Sequence, residues 1–134
     1  MIVSKEITMS ADKNTILIVD DDSRNIFALQ AVLRAKKFKC VTAADMQEAL
    51  NLLKGGNDIG IILLDMMMPD MDGYEAIPII RDLPGYDSIP VIAVTAQAMK
   101  GDRERCLQAG ANGYIAKPVD VDELMKLLKT YLPA

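Results

Sequence analysis

The sequence predicts an α/β fold, a doubly wound five-stranded parallel sheet with the strand order 2-1-3-4-5. Three observations lead there. Short β-branched runs alternate with longer amphipathic ones, the mark of βα units around a parallel sheet. The first, third and fourth short runs are nearly all apolar, as strands covered on both faces must be. The chemically unusual polar residues fall at the carboxyl ends of the short runs, where open α/β sheets bind their ligands. Right-handed crossovers leave few topologies for five parallel strands, and 2-1-3-4-5 is a common one.

The strands are expected at "TILIVD" (15–20), "FKCVTA" (38–43), "IGIILLD" (59–65), "PVIAVT" (90–95) and "GYIAK" (113–117). The first helix should run from about Ser23 to Lys36 and bury Ile26, Leu29 and Leu33. In "DMQEALNLLK", Asp45 and Glu48 are spaced as a capping pair, and Met46, Ala49, Leu50 and Leu53 share one helical face. The last helix repeats the device, with Asp120 and Glu123 at its start and Val121, Leu124, Met125 and Leu128 as its stripe. Gly55-Gly56 and Gly110 are natural stops. In "GYEAIPIIRDLP", Pro78 removes a backbone donor about a turn after Gly73, so a kink or a late helix start is expected.

A chain of 134 residues is one ordinary domain. Residues 1–13 read as a loose N-terminal tail, with Met9 as a second plausible start, and residues 14–134 as the domain. The apolar share of 51% and charged share of 25% are those of a globular protein. Nineteen acidic residues against fifteen basic ones, with no Lys/Arg stripe, argue against direct nucleic-acid binding. No stretch approaches the roughly 18 apolar residues of a membrane span, and the N-terminus lacks a signal-peptide core. Cys40 and Cys106 match no metal or redox spacing and read as reduced thiols, which fits the cytoplasm.

The polar residues converge in this topology. Strand one ends in Asp20-Asp21-Asp22, strand three in Asp65, strand four in Thr95 and strand five in Lys117. Carboxylates gathered in one crevice repel one another unless a cation compensates them. The chain has no His, so a hard divalent ion, Mg²⁺ or Mn²⁺, suits the site better than zinc. An Asp carboxylate can then attack phosphorus to form an acyl phosphate, with metal, Lys and a hydroxyl balancing the charge. Taken singly each residue has a plainer reading. Asp22, Asp45, Asp72 and Asp120 suit helix caps, Tyr114 suits half-buried core, and Met66 to Met68 suit loop and core packing.

Set together, "ILIVDDD", "LLDMMMPDMDG", "AVTA" and "AKPV", in that order over residues 15–131, resemble the receiver (CheY-like) domain of two-component response regulators. The spacings from Asp21 to Asp65, Thr95 and Lys117 agree with that family. The resemblance implies a flavodoxin-like (βα)5 fold and phosphorylation of Asp65. It implies Mg²⁺ held by Asp20, Asp21, Asp65 and the backbone carbonyl of Met67. Thr95 and Lys117 would contact the phosphoryl group, Tyr114 would change rotamer as Thr95 moves, and the Lys117-Pro118 bond would be cis. Met67 and Gln97 would flank the phosphoryl group and tune its lifetime, and an apolar Met67 should make that lifetime long.

The donor would be a sensor histidine kinase or a histidine phosphotransfer protein, since this chain lacks His. The output would be a contact with a downstream protein through the fourth helix, fifth strand and fifth helix, about residues 100 to 131. Such a chain is a regulatory domain rather than an enzyme, beyond self-phosphotransfer and autodephosphorylation, and is a monomer or a phosphorylation-dependent dimer. "DDDSRNIFALQAVL", with Asn25, and "TAQAMKGDRERCLQAG" also resemble receivers of hybrid sensor kinases, so both a stand-alone receiver and a hybrid-kinase segment remain open. Three rivals fit less well. A haloacid-dehalogenase-like phosphohydrolase needs a second Asp where Met67 stands, an unphosphorylated docking module usually lacks part of the acidic set, and a flavin binder needs Ser, Thr and Gly where three Asp follow strand one.

Overall fold

The computed structural model describes residues 14–56, 58–96 and 100–132, so the expected tail over residues 1–13 and Gln97 lie outside the described residues. Five strands, β1 (Thr15–Val19), β2 (Cys40–Ala43), β3 (Ile59–Asp65), β4 (Val91–Thr95) and β5 (Gly113–Ala116), alternate with five helices. The helices are α1 (Ser23–Ala35), α2 (Met46–Lys54), α3 (Gly73–Asp82), α4 (Asp102–Gln108) and α5 (Val121–Tyr131). The strands form one parallel sheet in the order β2-β1-β3-β4-β5, with Ile18 beside Thr42 and Leu63, and Ala93 beside Leu64 and Tyr114.

Alternation along each strand divides the core in two. Leu17, Val19, Ile62, Leu64 and Ala93 pack with Met46, Ala49 and Leu53 of α2 and Ala76, Ile77 and Ile80 of α3. Ile16, Ile18, Ile61, Leu63, Val94 and Ile115 pack with Leu29 and Leu33 of α1 and Leu124 and Leu128 of α5. Each Leu, Ile, Val or Met side chain among them, fully buried, contributes about 1.5–3 kcal/mol. Truncating one, for example Leu64→Ala, costs about 2–5 kcal/mol because the tight packing leaves a cavity. Met66 and Met68 belong to the first cluster, as expected for core packing.

Aspartates start four of the helices. Asp22, Asp45, Asp72 and Asp120 accept backbone N–H bonds from Arg24, Glu48, Glu75 and Glu123, and Asp72 with Glu75 closes a full capping box. That box sets the start of α3 ahead of Pro78. The helix starts at Gly73 rather than late and runs through Pro78, whose side chain is exposed and whose missing donor would have met the carbonyl of Tyr74. Val121 departs from its expected buried stripe. At the first position of α5 it is 37% exposed, because the helix reaches the sheet only at Leu124.

β1 and β5 end one residue earlier than the apolar runs imply, at Val19 and Ala116. The ladder still reaches the next residue, since Asp20 N–H donates to Ala43 O at 3.0 Å and Lys117 N–H to Thr95 O at 2.7 Å. Asp20 and Lys117 are therefore held by the sheet while their side chains stand at its carboxyl edge. Arg81 fixes the opposite end of β4. Its guanidinium donates to Ile89 O, to Gly110 O at 2.7 Å and to Asn112 Oδ1 at 2.9 Å, and that oxygen also takes the Val91 N–H.

Candidate functional site

Asp20, Asp21, Asp65, Thr95 and Lys117 meet at the carboxyl edge of the sheet, brought there by β1, β3, β4 and β5. Among the described residues the buried polar or charged side chains are Asp20, Asp65 and Thr95, at 2%, 4% and 4% exposure. With these three at one edge, the described residues concentrate the electrostatic cost of polar burial there. One carboxylate oxygen from each of Asp20, Asp21 and Asp65 falls within a 4.8 Å group. Lys117 Nζ bridges two of them, 3.1 Å from Asp20 Oδ2 and 3.6 Å from Asp65 Oδ2. Asp65 Oδ1 accepts the Met67 N–H at 3.0 Å, and Asp20 Oδ1 accepts the Asp22 N–H at 2.9 Å. The Lys117-Pro118 peptide is cis.

This edge, in this strand order, is matched by a known family. The model of the response regulator receiver domain fits residues 16–129. The chain belongs to the response regulator receiver family.

It is thus a regulatory receiver domain of two-component signalling. It is 35% identical over 118 residues to the polar-differentiation response regulator DivK of Brucella ovis, covering 88% of this chain and 95% of that one. Among solved structures it is similar to the receiver domain of a sensor histidine kinase from Pseudomonas aeruginosa, which has a magnesium ion coordinated in its active-site cleft. That match has a TM-score of 0.80 and 36% identity, over 90% of this chain and 98% of the other. The receiver domain of Ssk1 from Saccharomyces cerevisiae, co-crystallised with the histidine phosphotransfer signalling protein Ypd1, aligns with a TM-score of 0.80 and 29% identity. It covers 89% of this chain and 88% of the other.

The electrostatics of this receiver follow from burial. Desolvation pushes the Asp65 carboxyl above the usual carboxylate range, and Asp20 pushes the same way, while the Met67 N–H and the Lys117 charge pull it back. For Lys117 burial alone would lower the ammonium, but the hydrogen bond to Asp20 and the charges of Asp65 and Asp20 outweigh it and raise it. Lys117 thereby stays charged between two carboxylates, and the edge remains short of positive charge. Three acidic groups face one ammonium.

The other expected residues fall as follows. Met67 points out, 51% exposed, with only its backbone turned to Asp65. Tyr114, half-buried on β5 beside Ala93, packs against the cluster that contains Cys106 and the α3 side chains. Gln97 lies outside the described residues. Asn25 is the contact that site reasoning missed, its amide donating to Asp20 Oδ2 at 2.5 Å. Its place three residues past Asp22 on a capped helix was the available signal. Among the described residues no helix is long and apolar enough to cross a membrane.

Proposed function

We propose that this receiver is a phosphoacceptor switch in a phosphorelay, with Asp65 as the acceptor. The observation that carries this reading is the bridging of buried Asp20 and Asp65 by Lys117, beside Asp21 and Thr95. An Asp65 carboxylate oxygen attacks the phosphorus of a phosphohistidine on a partner. The P–N bond breaks, its electron pair returns to the imidazole nitrogen, and an acyl phosphate forms on Asp65. Lys117 pairs with the new phosphoryl oxygens and Thr95 donates to one of them, which orients the group.

The donor set fits Mg²⁺ or Mn²⁺: three carboxylates share one edge and the chain has no His. Asp20, Asp21, Asp65 and the carbonyl of Met67 would hold the ion, which when bound offsets the charge of carboxylates and phosphoryl oxygens. The movement of Thr95 and Lys117 toward the phosphoryl group biases a two-state surface. Tyr114 follows Thr95, and α4, β5 and α5 carry the change to a protein partner.

Exposed apolar side chains flank the edge. Phe27 on α1 is 75% exposed, Met67 51% and Val121 37%. A groove of about 190 Å³ is lined by Val121 together with Asn25, Ala28, Val32, Pro118 and Val119 among others. Apolar groups left in water around a charged site suit a docking partner, here the kinase or phosphotransfer protein that brings the phosphohistidine. The reading is tested by treating the protein with acetyl phosphate and Mg²⁺, reducing the product with borohydride and mapping the peptides. Reduction of the acyl phosphate at position 65 to homoserine is expected, and modification at another carboxylate would reject Asp65 as the acceptor.

A further inference from the structure

Asp20 Oδ2 is shared by two donors, Lys117 Nζ at 3.1 Å and Asn25 Nδ2 at 2.5 Å. Lys117 is itself divided, since it also stands 3.6 Å from Asp65 Oδ2. An anion built on Asp65 therefore competes with Asp20 for one ammonium. Asp20 is 2% exposed, so an oxygen abandoned by the lysine has little water to turn to, and a buried carboxylate that loses its partner resists the loss. Asn25 removes that resistance. Its amide keeps a donor on Oδ2 and brings no charge, so the acidic edge retains its attraction for a cation.

We propose that Asn25 is a positioning residue, one that holds Asp20 in place while Lys117 is released to a phosphoryl group on Asp65. The inference rests on the phosphoacceptor reading above. The local fold builds the contact: Asp22 caps α1, which turns Asn25, the third residue of the helix, back toward Asp20. Helix propensity does not account for the residue, because Leu or Ala at this position favours the helix more than Asn does.

The test uses the full chain with acetyl phosphate and Mg²⁺, following the phosphorylated fraction by intact mass for wild type, Asn25→Leu and Asn25→Gln. Leu keeps the branching at Cγ without a donor, has a better helix propensity and sits at a partly buried position, so urea unfolding should show Asn25→Leu no less stable than wild type. Its phosphorylation at saturating donor and Mg²⁺ should nevertheless be about tenfold slower, the scale of one hydrogen bond to a charged group, with the half-saturating donor concentration unchanged. Asn25→Gln, which keeps the amide, should recover at least half of that loss on a logarithmic scale. Wild-type rates in Asn25→Leu, or a Gln variant as slow as the Leu one, overturn the inference alone. A wild type that takes no phosphoryl group overturns the phosphoacceptor reading and this inference with it.

Discussion

Replacing Gly73 with Ala puts a methyl group against Met66, the residue that follows Asp65 at the end of β3. A Cβ on Gly73 would overlap the Sδ of Met66 and come within 2.8 Å of its Cε and 3.0 Å of its Cα. Met66 has no exposed surface, so its side chain has no open space to swing into, and its Cα is backbone fixed by the bonds Met66 N to Val94 O and Gly73 N to Met66 O. Forced overpacking costs about 1–3 kcal/mol. The gain of Ala over Gly in a helix is at most about 1 kcal/mol and smaller at a first helical position. The balance is a loss of about 1–2 kcal/mol, or roughly 4–10 °C in Tm for a domain of this size. Urea and thermal unfolding followed by circular dichroism measure it. Met66→Ala alone should cost about 2–5 kcal/mol, while the double variant should lose at least 1 kcal/mol less than the two together, roughly the size of coupling expected between touching residues. A Gly73→Ala protein as stable as wild type, or strictly additive losses, would refute the reasoning.

Three further outcomes follow from the same geometry. Met67→Asn supplies a side chain able to orient water beside the phosphoryl group, and the phosphoprotein should decay about tenfold faster, a barrier change of roughly 1.4 kcal/mol; equal decay rates would count against the role given to Met67. Phe27→Ala should slow transfer from a phosphohistidine protein by about tenfold and leave phosphorylation by acetyl phosphate unchanged, and an equal effect on both donors would remove Phe27 from the docking face. In Mg²⁺-free buffer, the raised pKa of Asp65 means that its contribution to stability is fully present below the ordinary carboxylate range and is lost as pH rises through the folded-state value. Asp65→Asn should therefore be more stable than wild type at neutral pH by urea unfolding. The gap should close as the pH falls, and a gap that widens instead would contradict the sign.

The fold was largely legible because its determinants are local or periodic. Apolar runs buried on both faces name the central strands β1, β3 and β4, and the aspartates before α1, α2, α3 and α5 name the helix starts. The acidic edge was legible for a related reason: once the strands are parallel, their carboxyl ends must lie together, and Asp20, Asp65, Thr95 and Lys117 come with them. What sequence reading missed depends on contacts between distant segments. Arg81 looks like any charge in the last turn of a helix, and nothing local says that its guanidinium ties Ile89, Gly110 and Asn112 together. Asn25 looks like a polar residue in a first turn until the cap at Asp22 aims it at Asp20. Of the two outcomes expected from Pro78, the late start did not occur, because the capping box of Asp72 and Glu75 starts the helix at Gly73.

The central claim is that Asp65 takes one phosphoryl group with the help of the acidic edge and a divalent ion. It is tested most directly by incubating wild type and Asp65→Asn with acetyl phosphate, with and without Mg²⁺, and recording intact masses over time. A single phosphoryl adduct on the wild type, dependent on Mg²⁺ and absent from Asp65→Asn, is the predicted result. An adduct that persists in Asp65→Asn, or a wild type that stays unmodified in Mg²⁺, would contradict it.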